Sequence, residues 1–320
     1  MSRRALVTGA GGFAGRQLVR QLVDDGWEVA GTIRSRSSDV EGAVEHKIDI
    51  TDQDALTSVF RDFEPEVVFH LVAIVDTVTT PDVIRLYETN TLGTVAVLEA
   101  LRSAGSGARF LYTSTSFVYG ASSDDERPVR EDHPLRPLTP YGASKAAGET
   151  VAQQFAHQTG TEILIARAFQ HTGPGHVGAY AMADWAQQLA EIEAGPGSGA
   201  IRCGNIEVER DYLDVRDVAS AYRAIAFDGK PGEIYNVSSD VPRTMRSLLE
   251  GLIAAFGVEV VIEVDPDRFR SVDQQVFYGD SAKARSETGW LPDYEIERTL
   301  ADLADFWRTR VSEGTRRATA

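Results

Sequence analysis

Tyr141 and Lys145 stand four residues apart in Tyr141-Gly142-Ala143-Ser144-Lys145. On a helix that spacing puts a phenol and an ammonium on one face. The ammonium is expected to lower the phenol from its usual pKa of about 10, giving a proton donor and acceptor usable near neutral pH. Far upstream, Thr8-Gly9-Ala10-Gly11-Gly12-Phe13-Ala14-Gly15 sets Gly9, Gly12 and Gly15 at G-x-x-G-x-x-G spacing. Such a turn lets the backbone approach a pyrophosphate at a helix N-terminus. Either motif alone is a weak signal. Together, with Thr115 between them, they describe a redox site in which Thr115, Tyr141 and Lys145 are the catalytic residues and a dinucleotide is the cofactor.

The elements that must position these side chains alternate. Strands are predicted at 5–8, 27–33, 45–48, 67–71, 109–114 and 162–166, and helices at 13–25, 52–63, 83–104 and 141–159, the last starting after Pro140. This rhythm implies an α/β fold, a Rossmann-type doubly wound parallel sheet. After Phe169 the pattern changes. A Gly- and Pro-rich stretch at 171–178 precedes a helix at 182–194 and an isolated strand at 201–208. A helix at 214–227 and a strand at 233–237 rejoin the first sheet, while 243–256, 259–264 and 295–311 form a smaller α/β domain. The expected division is a Rossmann domain of residues 1–169 with 212–237 returning to it, a substrate domain of 170–211 and 238–313, and a frayed tail from 314 to 320. Substrate is expected in the cleft between the two domains.

The second predicted strand ends at Arg34, with Arg36 beside it. An acidic residue there would bind ribose hydroxyls and favour NAD, whereas arginine suits a 2′-phosphate. NADP(H) is therefore the expected cofactor, with NAD(H) as the alternative if both arginines are merely solvated. Asp49 and Ile50 follow the third strand, placed to meet the adenine amine and its face. Leu71, Val72 and Ala73 end the fourth strand near the pyrophosphate, and His70 reads as a packed strand histidine.

Composition narrows the partners. Of 320 residues, 42% are hydrophobic and 25% charged, as in an ordinary globular protein. A net charge of −16 argues against nucleic acid and anionic membrane surfaces. No apolar run approaches the roughly 18 residues of a membrane span. The N-terminus enters a strand without a secretory leader, and Cys203 has no second cysteine to pair with, so a cytoplasmic location is expected. No metal site is expected. Lysine is scarce, with only Lys47, Lys145, Lys230 and Lys283, so an anionic ligand must be held by a few local arginines.

With these residues in hand, the chain resembles the extended short-chain dehydrogenase/reductase family, which modifies nucleotide sugars. The likeness runs through the glycine turn, Asn90-Thr91-Leu92-Gly93-Thr94, Thr113-Ser114-Thr115-Ser116-Phe117-Val118-Tyr119-Gly120, Tyr141 to Lys145, and Arg167-Ala168-Phe169-Gln170-His171-Thr172-Gly173-Pro174-Gly175. It implies cofactor contacts for Phe13, Asn90, Thr113 and Ala168, besides Tyr141 and Lys145. The second half is most similar to the GDP-sugar branch, through Gly204-Asn205-Ile206-Glu207-Val208-Glu209-Arg210-Asp211-Tyr212 and Arg270-Ser271-Val272-Asp273. That implies a GDP-sugar substrate touching Thr115, Gln170, Asn205, Arg210, Arg270 and Asp273. Arg210 and Arg270 suit a diphosphate, which a guanidinium grips by two oxygens, and Asp273 suits a ribose or a guanine edge. The family also implies a homodimer, with the helices at 83–104 and 141–159 as its candidates.

Two positions depart from the family pattern. Relatives that perform 4,6-dehydration carry a carboxylate just after the catalytic Thr/Ser, where this chain has Ser116 and Phe117, and a phenyl ring is neither acid nor base. Gln170 replaces the usual asparagine and extends its amide by one methylene. Reduction of the 4-keto group of GDP-4-dehydro-6-deoxy-D-mannose to GDP-6-deoxy-D-mannose is the expected reaction, with the talo epimer open. The alternatives are an NAD-dependent UDP- or dTDP-sugar 4-epimerase, a GDP-mannose 4,6-dehydratase, and a non-catalytic NADP-binding protein.

Overall fold

The computed structural model describes residues 3–75, 82–178, 180–195, 197–269 and 274–318. Arg270 and Asp273 lie outside the described residues. Short runs rich in apolar and β-branched residues form β1 (Arg4–Thr8), β2 (Glu28–Ile33), β3 (Ala43–Lys47), β4 (Val67–His70), β5 (Arg109–Thr115) and β6 (Ile163–Ala168). The chain then builds β7 (Gln170–Thr172), β8 (Ser198–Cys203) and β9 (Glu209–Asp214) before β10 (Ile234–Val237) returns to the first sheet. That sheet has the order β10-β6-β5-β4-β1-β2-β3, with every neighbour parallel. Every residue of β4 and β6 is buried, as a parallel sheet covered on both faces requires. The strand order reverses between β1 and β4, which puts a ligand crevice at their C-terminal ends.

One face is covered by α1 (Phe13–Asp24), the other by α2 (Gln53–Phe63), α3 (Val83–Tyr87), α4 (Gly93–Ser103) and α5 (Pro140–Thr159). α6 (Ala181–Ala194) belongs to the second half, and α7 (Val215–Asp228) joins α1, with Leu18, Leu22, Val218 and Ile225 in one core. Leu56, Phe60, Val97, Leu101 and Phe155 fill the opposite face. Beyond β10 come β11 (Pro242–Thr244), α8 (Met245–Phe256), β12 (Glu259–Val264), β13 (Val276–Phe277), α9 (Ala282–Thr288) and α10 (Ile296–Ala318). Trp185, Leu189, Leu249, Leu252, Leu303 and Trp307 from α6, α8 and α10 make a separate core. β9 is the hub of a small sheet, pairing with β7, β11 and β13, while β12 pairs with β8. No described helix is long and apolar enough to cross a membrane.

Three sequence expectations are corrected. The helix expected at 83–104 is broken by a π turn at Glu88–Leu92, because Asn90 is drawn to partners outside the helix. The strand expected at 201–208 is β8, ending at Cys203, followed by a separate β9. The tail expected from Gly314 continues as helix to Ala318, since a single glycine costs a long helix only about 1 kcal/mol.

Candidate active site

α5, which carries Tyr141 and Lys145, begins where its sequence says it must. Pro140 occupies the first turn, and Thr139 Oγ1 accepts from the Gly142 amide at 3.1 Å. α5 then lies close on β5, because a Cβ on Gly148 would fall 2.1 Å from Tyr112 Oη. The Tyr112 ring lies under Lys145, with Nζ 4.2 Å from its centroid, and Tyr112 Oη donates to the Lys145 carbonyl at 3.2 Å. Thr115, at the end of β5, lies beside the Tyr141 phenol and acts to lower its pKa, and its Oγ1 accepts from the Phe117 amide at 3.3 Å. Phe117 meets the Tyr141 ring edge-on, centroids 5.9 Å apart. Thr115, Tyr141 and Lys145 are thus brought together.

Their protonation corrects an expectation. Burial pushes the Tyr141 phenol up to about 12, partly opposed by the Thr115 hydrogen bond, and Tyr180 adds to the rise. Lys145 is 1% exposed, and burial lowers its ammonium to about 7 against the pull of Glu149. The i, i+4 spacing carries proximity but not depth, and desolvation of both groups outweighs their mutual effect.

Asn90 sits on the π turn, fully buried. Its Nδ2 donates to the Ile74 carbonyl and to Ser144 Oγ, each at 2.9 Å, and its Oδ1 accepts from the Ile74 amide at 2.7 Å. Ser144 Oγ donates to the Tyr141 carbonyl at 2.8 Å. Thr94 Oγ1 donates to the Asn90 carbonyl at 2.7 Å, so toward His70 Nε2, 3.1 Å away, it can only accept. His70 therefore carries its proton on Nε2 and accepts from Thr8 Oγ1 at Nδ1, 2.8 Å away. Thr113 Oγ1 donates to the His70 carbonyl at 2.9 Å. This buried chain runs from the glycine turn to the helix that carries Tyr141 and Lys145.

The glycine turn fits a dinucleotide phosphate. A Cβ on Gly15 would meet the Gly9 carbonyl oxygen at 2.2 Å, and one on Gly11 the Arg36 carbonyl oxygen at 1.8 Å. Gly12 caps α1 without a side-chain hydrogen bond, and no acidic residue stands in the first turn. The helix N-terminus therefore presents uncapped amides, as an anion requires. Leu71 N donates to the Thr8 carbonyl at 3.1 Å, which lays Leu71 and Val72 beside Gly9. Arg34 and Arg36 are exposed on a braced loop. Arg16 donates to Ser37 O at 2.6 Å and to Asp39 Oδ2 at 2.9 Å, while Glu45 accepts from Ser38 N at 2.6 Å. Asp49 is held below the usual carboxylate range by the Thr51 amide and hydroxyl, with Arg34 also contributing. Ile50 packs into the α2–α4 core, and Ala168 lies opposite Thr115 in register. Phe13 places its ring elsewhere, stacking on His176 at 4.5 Å and His171 at 5.8 Å.

The substrate candidates are scattered by comparison. Gln170 stands on β7, and its buried Oε1 has no hydrogen-bond partner, as has Ser116 Oγ. Asn205 turns its Oδ1 onto the Glu207 amide at 3.1 Å. Arg210 lies on β9 with Nη1 2.7 Å from the Glu209 carbonyl. Residue-by-residue reading passed over Glu149 and Arg167, which form a buried ion pair under the site with Nη2 to Oε2 at 2.7 Å. The Lys145-x-x-x-Glu149 spacing was their signal.

Residues 6–303 match the family described as GDP-mannose 4,6 dehydratase. The chain is 33% identical to GDP-6-deoxy-D-mannose reductase of Pseudomonas aeruginosa over 318 residues, covering 98% of this chain and all of that one. It is 30% identical to UDP-glucose 4-epimerase of Mycolicibacterium smegmatis, covering 96% of this chain and 99% of that one. The solved structure of RMD from Pseudomonas aeruginosa complexed with NADPH superposes with a TM-score of 0.85 at 31% identity, over 97% of this chain and 100% of that chain.

Proposed function

We propose that this chain, which belongs to the GDP-mannose 4,6-dehydratase family of extended short-chain dehydrogenase/reductases, reduces the 4-keto group of GDP-4-dehydro-6-deoxy-D-mannose with NADPH. Bound NADPH supplies the hydride for C4. The amides opening α1 at Phe13 and Ala14 hold its pyrophosphate, Arg34 and Arg36 its 2′-phosphate, and Lys145 its nicotinamide ribose. Tyr141 gives its phenolic proton to the C4 oxygen as charge builds there, and Thr115 donates a hydrogen bond to the same oxygen. Gln170, Asn205 and Arg210 hold the GDP moiety, with the second half of the chain forming the substrate side of the cleft.

The observation that carries this reading is the Phe117 ring edge-on to Tyr141. It fills the place where 4,6-elimination needs a second acid or base and leaves one proton donor, Tyr141, backed by Thr115. A phenol at about 12 is protonated at neutral pH. That suits a reaction in which Tyr141 gives up a proton as hydride arrives better than an epimerase cycle, which begins by taking one. A homodimer through the 83–104 segment (α3, the π turn and α4) and α5 is proposed alongside, supported by Ile84 on α3 and Leu92 on the π turn at 73% and 56% exposure; light scattering on the purified protein tests it.

The deciding experiment follows NADPH absorbance with the 4-keto sugar generated in situ, beside an NADH control. Stoichiometric oxidation, lost in Tyr141→Phe, is expected, and NMR of the product assigns C4. No turnover, with NAD retained by the purified protein, would replace this reading by a 4-epimerase.

A further inference from the structure

Tyr141, Lys145 and Glu149 follow one another at four-residue steps along α5 and share one face of the helix. Glu149 is 2% exposed. A carboxylate there is costly unless its oxygens are matched, and they are. Oε1 accepts from Ser114 Oγ and from Arg167 Nε, the latter at 2.9 Å, and Oε2 accepts from Arg167 Nη2 at 2.7 Å. Ser114 immediately precedes Thr115, and Arg167 lies opposite Ser114 in the β5–β6 register. Arg167 Nη1 continues to Tyr119 Oη at 3.1 Å and to the Glu131 carbonyl at 3.0 Å. One carboxylate thus joins the catalytic helix to both strands beneath it.

We propose that Glu149 is a positioning residue, holding α5 at fixed height over Thr115 and setting a carboxylate charge one helical turn from Lys145. This rests on the oxidoreductase reading of Thr115, Tyr141 and Lys145. The groups around Lys145 leave that role to Glu149. β4 presents His70, buried and neutral, and β5 presents the Tyr112 ring. α5 adds the protonated Tyr141, and β6 adds Arg167, whose charge is matched by Glu149 itself. Burial depresses the lysine, and Glu149 is the group that opposes it. A purely structural cross-link would stabilise the fold without setting the charge of Lys145.

The two roles separate by NMR, because only four lysines give Nζ-adjacent carbon signals. In protein labelled at lysine 13Cε, the Lys145 signal is assigned by its loss in Lys145→Met, and its titration is read without substrate. Glu149→Gln is expected to lower the midpoint by about one unit and Arg167→Gln to raise it. Either change leaves a buried charge or donor set unmatched, so Glu149→Gln/Arg167→Gln, which removes both charges, serves as the variant that folds; its midpoint falls less than in Glu149→Gln. Glu149→Asp keeps the midpoint but lowers kcat about tenfold with little change in KM, as misplacement would. A Lys145 midpoint unchanged in every folded variant overturns the proposal. Absence of NADPH oxidation by the parent protein would overturn the reductase reading instead, and leaves the NMR result standing.

Discussion

Asn90 Nδ2 and Ser144 Oγ are joined by a 2.9 Å hydrogen bond that ties the π turn to the helix carrying Tyr141 and Lys145. The same amide closes two bonds on the Ile74 backbone, so one side chain registers the exit of β4 against the start of α5. A π turn often marks such a functional constraint.

Asn90→Ala would leave the Ile74 amide and carbonyl without these partners and release Ser144. A loss of about 2–4 kcal/mol is expected from buried polar groups left unmatched. Urea unfolding measures it. The variant should also bind NADPH more weakly, since the segment beside Gly9 is no longer anchored. Unfolding at the parent denaturant midpoint would show that the π turn is held by packing alone.

Tyr141→Phe keeps the ring against Phe117 and removes the proton. A fall in kcat of about 10²–10⁴ is expected, with the dissociation constant for NADPH changed less than about twofold. Lys145→Met should differ by weakening NADPH as well. Fluorescence titration of both variants distinguishes these outcomes, and equal losses of cofactor affinity would contradict the separate roles.

Arg34 and Arg36 sit on a loop whose backbone touches the glycine turn, since a Cβ on Gly11 would fall 1.8 Å from the Arg36 carbonyl oxygen. Arg34→Ala should weaken NADPH by about tenfold or more while leaving NADH nearly unchanged, as loss of a charge-assisted phosphate contact would. Gly11→Ala should weaken both cofactors, because it displaces the turn and the loop together. Parallel NADPH and NADH titrations read both effects, and an Arg34→Ala variant that loses both equally would remove the arginine from the 2′-phosphate.

What the sequence made legible is what lies close along the chain. The glycine spacing, the Tyr141–Lys145 step and the apolar strands are local patterns, and the sheet and the catalytic cluster follow from them. The π turn was not legible, because the partners of Asn90 are Ile74 and Ser144, which only the folded sheet brings near. The direction of the Tyr141 shift was misread for the same reason. Depth is a property of the whole fold, and it outweighs a neighbouring lysine that is itself desolvated. Glu149 is legible as a step beyond Lys145, but its ion pair with Arg167 on β6 shows only once α5 is laid over the sheet.

His70 makes the protein's stability depend on pH in a calculable direction. It is fully buried between Thr8 and Thr94, and burial lowers its pKa to about 3, with Lys145 adding to the fall. In the unfolded chain the imidazole returns to about 6.5. Above that value both states are neutral and His70 makes no pH-dependent contribution. Between about 6.5 and 3 the unfolded chain binds a proton that the folded one refuses, so stability falls as pH falls. From pH 7.5 to 5.5 the expected loss from this group is about 1.4 kcal/mol. His176, also lowered to about 3 by burial, adds a loss of the same sign. His70→Asn keeps a donor for Thr94 and an acceptor for Thr8 but has no titration in this range. Urea midpoints at the two pH values should therefore differ less in His70→Asn than in the parent. An equal difference would mean that His70 takes up its proton in the folded state, and that the Thr8–His70–Thr94 chain opens to admit it.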